Sequence, residues 1–532
     1  MTSKTWTLIV AVLGSSIVFL DSSVLPVALT AIGREPRLFV DVLEGQNYVH
    51  YGYLLTLSAL LVLAGALSDF YGRRRMFVIG LVGFGATSVL CGIAPNIETL
   101  IVARLLQGAA GAILVPGSLA ILTANFKGEE QGRAFGVWAA ASGAAPILGP
   151  FVGGVLVDEL SWRWIFLLNV PFIALAVWAA RRHVGESRDE HASGNFDWPG
   201  ALMVALAVGG LSFGSIFGQQ RQWQDPIAFV ALAVGVVATV SLPFYFARAR
   251  HPLVPLGMFR SRNFSVTNFS TLVIYGSLYV IFFFQPIFMQ GTLGYTAPAV
   301  GLGSVPGALF LVFLSTRFGT LAARHGPRWF MTIGPLIMAA GVMWLARIPA
   351  DSEPWTLRVG DPQTYVPSGD YLTDFLPASM IFGFGLAVMV APLTTALMRS
   401  VPGRQAGLAS AINNAISRVG PQLAGALIFV IVTASFYAAL AVRVPGLDVS
   451  SADVRAAIPP LNPPAQSVPP EQVAAARAAS TEAFHLAMLT SAGLLIVGAA
   501  ANGLWISNRQ ALDAGRVLDS AADEPAPPAT AG

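Results

Sequence analysis

Apolar runs of about twenty residues, the length of one membrane crossing, recur along the whole chain with short polar turns between them. They cover residues 6–32, 48–67, 76–94, 98–123, 133–157, 162–181, 199–218, 227–247, 265–290, 298–317, 329–348, 374–397, 407–439 and 483–506. Fourteen such runs predict an all-α integral membrane protein with 14 transmembrane helices and both termini on one side. Lys and Arg in short loops set topology. The basic residues gather on the side of the termini, with Arg73, Arg74 and Arg75 in the turn after the second run and Arg181, Arg182, Arg248, Arg250, Arg260 and Arg262 in later turns. That side is therefore expected to be cytoplasmic, in the inner cell membrane of a prokaryote.

The turn GALSDFYGRRR, residues 65–75, has a degenerate copy, GTLAARHGPR, at 319–328. Gly65 and Gly319, Leu67 and Leu321, Gly72 and Gly326, and Arg74 and Arg328 align at one constant offset. Internal repeats of this kind mark duplicated transporter folds. The expected organisation is a six-helix bundle over 1–182, a linker with two extra helices over 183–264, a second six-helix bundle over 265–506, and a tail over 507–532 with the composition of a disordered segment.

Composition narrows the class. Of 532 residues, 55% are hydrophobic and 11% charged, against about 25% charged in soluble domains. The net charge of +3 is dispersed through short loops, which excludes a nucleic-acid footprint. The single cysteine, Cys91, lies in an apolar run, so no disulfide framework or thiolate metal cluster is expected. The first run holds an acid and lacks a small-residue cleavage site, so it reads as a helix and not as a removed signal peptide. Two outer connections, 349–373 and the proline-rich 440–482, read as solvated connectors.

A charge inside hydrocarbon costs at least about 2.5 to 3.5 kcal/mol and marks function by default. Asp21 is the one carboxylate well inside a predicted helix, roughly 14 Å below its outer end, and Arg104 lies roughly 9 Å below the same surface at 1.5 Å per residue. The two depths let them meet, with Asp21 as proton-coupling acid and Arg104 as its partner; a static ion pair joining two helices is the alternative. Helix 5 carries Gly143, Pro146, Gly149, Pro150, Gly153 and Gly154, a pattern for close packing and a bend. Candidate cavity residues are Gln107, Gln285, Gln290, Asn413, Asn414 and Arg418, with an aromatic run over 279–284. The string 210–214, GLSFG, matches a nucleophile elbow but sits in a helix with no triad partners. His183, Glu186, Asp189, Glu190 and His191 read as linker and not as a metal site.

Together these motifs resemble the major facilitator superfamily, in particular its fourteen-helix drug:proton antiporter branch. The turn over 65–75 is similar to the family's signature between helices 2 and 3. Arg104, Gln107, Gly108 and Gly111 resemble its helix 4 motif, and Gly149-Pro150 with Gly153-Gly154 its antiporter motif. Trp162-Arg163 followed by Phe166, Asn169 and Pro171, and Gln290 with Gly294, Tyr295, Pro298 and Gly301, resemble further branch patterns. The chain departs from the pattern at Pro26, Thr30 and Tyr48, with His50 nearby, and its second turn has Ala323 in place of the acid. The resemblance implies two bundles rocking around a central cavity. It also implies that Asp69 and the turn arginines Arg73, Arg74 and Arg75, set by Gly65 and Gly72, latch the cytoplasmic side, and that helix 5 serves export.

The expected function is proton-coupled export of amphipathic small molecules by alternating access, with the substrate, protons and the lipid bilayer as partners and the chain acting as a monomer. A dedicated exporter of one metabolite, lipid or antibiotic is the alternative. With no P-loop and no convergent catalytic set, no cofactor, nucleic-acid partner or enzymatic activity is expected.

Overall fold

The computed structural model describes residues 2–32, 35, 42–188, 196–220, 225–358 and 360–509. The helices are α1 (Ser3–Ile32), α2 (Val42–Tyr71), α3 (Arg73–Gly92), α4 (Ile97–Asn125), α5 (Gly128–Glu159), a short turn α6 (Trp164–Leu167) running into α7 (Asn169–His183), α8 (Trp198–Gln220), α9 (Pro226–Arg248), α10 (Arg262–Ile287), α11 (Ala297–His325), α12 (Arg328–Leu345), α13 (Leu376–Met398), α14 (Ala406–Arg443), a surface turn α15 (Ala452–Ala457), and α16 (Pro470–Trp505). Among the described residues thirteen segments are long and apolar enough to cross a membrane. The 32-residue α5 is long enough to be the fourteenth.

Helices α1 to α7 form one bundle and α10 to α16 the other. The bundles meet along α2 against α14 and α5 against α11, and α4 also touches α14. These seams are lined with residues that let backbones approach. A Cβ added at Gly65 would lie 2.3 Å from Ala411 Cβ and 2.6 Å from the Gly407 carbonyl oxygen, and one at Gly319 would lie 2.5 Å from the Gly132 carbonyl oxygen. Real Cβ atoms do not come so close, so larger residues there would force the bundles apart.

The α8–α9 hairpin is the expected insertion. It packs through α8 onto α2 and α14, and α9 is the least buried span. The GLSFG string is part of this hairpin's packing: a Cβ at Gly210 would sit 2.8 Å from Gly235 Cα, and one at Gly214 2.9 Å from the Ala228 carbonyl oxygen.

The two outer connections are mostly exposed, as expected of solvated connectors, but are pinned at a few buried anchors. They fold over the second bundle, with Trp355, Leu357, Ile458 and Leu461 buried. Thr296 donates through its hydroxyl to the Leu357 carbonyl, Thr292 to the Leu461 carbonyl, and Arg477 to the Ser352 carbonyl. Proline and acid content masks these widely spaced apolar anchors. As a result α16 begins at Pro470, well before the apolar run at 483.

Candidate functional site

The face that carries Arg73 to Arg75 is held shut by two related clusters. In the first, Gly72 takes φ 108°, outside the range comfortable for residues with a Cβ, and turns α2 directly into α3. The turn brings Asp69, on the last turn of α2, beside Arg73, whose Nε and Nη2 donate to Asp69 Oδ1 at 3.0 and 2.9 Å. The same carboxylate accepts from the Gly407 and Leu408 amides at 3.3 and 2.8 Å. Those amides belong to the first turn of α14, where unpaired N–H groups and the helix dipole favour an anion. Arg73 also donates to the Gly403 carbonyl at 2.7 Å. One acid and one arginine thus tie α2 to the opposite bundle. Arg74 and Arg75 serve differently: their backbone amides donate to the Glu186 carboxylate at 3.0 and 3.1 Å, which caps α3.

The second cluster repeats this geometry with other chemistry. Gly326 has φ 89°, and the Arg328 amide donates to Asn508 Oδ1 at 3.0 Å, as the α3 amides do to Glu186. No acid stands at Ala323. Instead Arg399, at the end of α13, donates to the Ala323 carbonyl at 2.9 Å and to the Gly128 carbonyl at 3.0 Å, joining α11 to the start of α5. A surface ion pair between Arg324 and Glu129 lies beside it.

Inside the first bundle, Asp21 and Arg104 meet. Arg104 Nη1 donates to Asp21 Oδ2 at 2.5 Å and to Gln107 Oε1 at 2.7 Å, and its Nε donates to the Val49 carbonyl at 3.2 Å. Asp21 Oδ1 accepts from Gln107 Nε2 at 3.2 Å and from Asn169 Nδ2 at 3.1 Å. Both amides also reach Ser88. The guanidinium lies over the Tyr53 ring at 4.2 Å, and Arg104 is wholly inaccessible while Asp21 is 4% exposed. Arg104 Nη2 has no hydrogen-bond partner among the described residues.

A pair this dry repays its desolvation only through close geometry and extra hydrogen bonds, which Gln107, Asn169 and Val49 supply. Protonating Asp21 would leave the Arg104 charge uncompensated in a low-dielectric core, so the pair has two states of very different energy. The helix 4 pattern is now physical: Arg104 and Gln107 hold the acid, while a Cβ at Gly108 would lie 2.2 Å from the Tyr53 carbonyl oxygen. Asn169 and Ser88, both unselected as site residues in the sequence, complete the network; a polar residue in an apolar run was the available signal.

Helix α5 packs on α1 through its glycines: a Cβ at Gly149 would lie 2.0 Å from Ser23 Oγ and one at Gly153 2.7 Å from Val24 Cγ1. Pro146, Pro150 and Gly154 of that motif lie outside the residues whose side chains are described. At the opposite face, Glu35 accepts from Arg163 at 2.8 and 2.9 Å and from the Trp162 indole at 2.9 Å. The Arg163 fork holds the Glu35 carboxyl below the usual carboxylate range.

The other candidates scatter. Gln285 donates weakly to Met289 Sδ, and Gln290 is exposed at the opposite face. Asn413 is committed within its own bundle, donating to Thr271 at 2.8 Å and Asn268 at 3.2 Å, and Asn414 donates to the Ser410 carbonyl. Arg418 is half-buried. Of the residues weighed for a metal, His183 stacks on Trp6 and Glu186 caps α3, whereas Asp189, Glu190 and His191 lie outside the described residues. A cleft of about 830 Å³ between α3 and α7, lined by Gly85, Ala86, Ile173 and Trp178 and ending at Arg181 and Arg182, opens on the outside of the bundle and is separate from these clusters.

The family model described as Major Facilitator Superfamily matches residues 11–425. The chain is 33% identical to the puromycin resistance protein pur8 of Streptomyces alboniger, over 82% of this chain and 83% of that one. It is 31% identical to the multidrug resistance protein Stp of Mycobacterium tuberculosis H37Rv, over 79% and 74%, and 28% identical to the tetracenomycin C resistance and export protein of Streptomyces glaucescens, over 80% and 75%. Its fold is similar to that of the proton:xylose symporter XylE, with a TM-score of 0.58 at 16% identity, covering 97% of this chain and 98% of that one.

Proposed function

This chain belongs to the major facilitator superfamily, and we propose on that premise that it expels amphipathic small molecules across the cytoplasmic membrane in exchange for protons. The observation that carries the reading is the buried Asp21–Arg104 pair, one carboxylate and one guanidinium sealed inside a bundle, with one guanidinium nitrogen lacking a partner among the described residues. Relatives named for multidrug and antibiotic resistance support export as the direction.

In this reading the termini and the triple arginine are cytoplasmic, and the two latch clusters hold that side closed while the cargo site faces outward. A proton entering from outside neutralises Asp21 and removes the counter-charge of Arg104. The guanidinium must then find new acceptors, and α4 shifts against α1 and α7. That strain weakens the seams of α2 and α5 with the other bundle and lets the cytoplasmic side open. Proton release to the cytoplasm restores the pair and the latched state. Cargo and proton thus occupy the carrier in alternate strokes, as one chain without a nucleotide. Glycines 149 and 153 give α5 the close contact with α1 through which such a shift is transmitted.

The test uses everted membrane vesicles energised by a proton gradient. The account predicts uptake of several unrelated amphipathic drugs, abolished when the gradient is collapsed. Uptake of one compound alone, still gradient-driven, would favour a dedicated exporter; uptake indifferent to the gradient would refute proton coupling.

A further inference from the structure

We propose that Arg418 is the cargo anchor and that the transported molecules carry an acidic group, a carboxylate, sulfonate or phosphate, on an apolar body. This deepens the transport reading and rests on it for the statement that cargo binds between the bundles.

The direction of Arg418 follows from helix geometry. On α14, Gly407 and Ala411 face α2, because Gly407 packs on Asp69 and both approach Gly65. At about 100° per residue, Arg418 lies seven residues beyond Ala411 and eleven beyond Gly407, so it falls within about 20° of both. It therefore points at the first bundle. The antiparallel register that sets Gly407 beside Asp69 and Ala411 beside Gly65 carries Arg418 to the level of Ser58. Counted from the start of α14, this is roughly 18 Å into a hydrocarbon layer of about 30 Å.

A cation at that depth needs a counter-charge or water, and among the described residues no acid pairs with it. Asp21 is committed to Arg104, Gln107 and Asn169, and Asp69 to Arg73 and the α14 amides. Arg418 makes no ion pair or hydrogen bond among the described residues. Arginine does not lose its proton, so the site stays positive throughout the cycle. Its planar fork matches an oxyanion with two parallel bonds, and its field disfavours a lipophilic cation in the same space.

Tests require binding only, without a gradient. Purified full-length protein in nanodiscs is titrated with a naphthyl-alkyl carboxylate, its methyl ester and its trimethylammonium analogue. The wild type is expected to bind the carboxylate about 10- to 100-fold more tightly than the ester, the range of a charge-assisted hydrogen bond, and the ammonium compound most weakly. R418Q should erase that preference while binding the ester unchanged, and R418K should retain part of it. Equal affinity for carboxylate and ester in the wild type overturns the proposal even if R418Q fails to fold, as does an undiminished carboxylate preference in R418Q. Carboxylate selectivity without proton-coupled transport would leave this site standing and refute the antiport reading.

Discussion

Asp69→Asn would open the cytoplasmic latch by removing its charge and one of its two acceptor oxygens. The wild-type carboxylate accepts four hydrogen bonds, two from Arg73 and two from the amides of Gly407 and Leu408. Hydrogen bonds to charged groups contribute about 1.5–3 kcal/mol and neutral ones about 0.5–1.5 kcal/mol. With the Asn oxygen kept toward Arg73, the bond from Gly407 therefore weakens by about 1 kcal/mol and the one from Leu408, facing an amide nitrogen that cannot accept, is lost, at least about 1.5 kcal/mol. The substitution also loosens Arg73, whose bond to the Gly403 carbonyl depends on being held by Asp69. The closed state should lose about 2–3 kcal/mol relative to the open one, a shift of about 30- to 150-fold in their ratio. Paired spin labels at Lys127 and His325, exposed positions on opposite bundles, read the separation. The one native cysteine, Cys91, is buried and can be replaced by serine. The wild type is expected to give mainly the short distance, and Asp69→Asn a dominant longer one. An unchanged distance distribution would refute the assignment of Asp69 as a latch.

Gly149→Ala would place a methyl 2.0 Å from Ser23 Oγ, and overpacking of this kind costs about 1–3 kcal/mol; a fall in thermal midpoint is expected. Gly493→Ala, with nothing within 4 Å, is the control and should be neutral or mildly stabilising, so equal effects at both sites would contradict the packing argument. The Glu35 carboxyl is held below its ordinary 4.5 mainly by hydrogen bonds from Arg163. A depressed folded-state value means the clasp stabilises fully above that ordinary value and loses its contribution as pH falls through the lower one. Thermal midpoints measured from pH 6 down to pH 3 should drop more for wild type than for Glu35→Gln, and parallel curves would remove Glu35 from the account.

Much of this was legible because a membrane suppresses alternatives. Fourteen apolar runs admit little but spanning helices, and the two buried charges stand out by cost, so Asp21 and Arg104 could be paired from depth alone. The duplication was legible in Gly72 and Gly326 because a positive φ restricts residue choice. What stayed hidden depends on partners distant in the chain. Arg399 replaces the missing acid of the second turn from another helix, and Glu186 and Asn508 cap related helices from points far apart in the sequence with different chemistry. The docking of the outer connections was not legible because Trp355 and Leu461 are single anchors without periodicity. Asn413 was taken for a cavity residue, but the amide turns inward to Thr271 and Asn268, and no helical pattern distinguishes those two faces in an all-apolar setting.

The central claim is that the Asp21–Arg104 pair couples protons to transport and is more than a structural tie. Asp21→Asn alone strands a buried arginine, a cost of about 3–5 kcal/mol, so its failure would be ambiguous. The decisive protein is Asp21→Asn/Arg104→Gln, which removes both charges together. In proteoliposomes with an internal pH probe and an imposed proton gradient, the wild type is predicted to show substrate-triggered proton flux. The neutral pair is predicted to keep substrate exchange across the membrane and lose that flux. Proton flux persisting in the neutral pair would contradict the account and leave Asp21 and Arg104 as a bond that holds helices together.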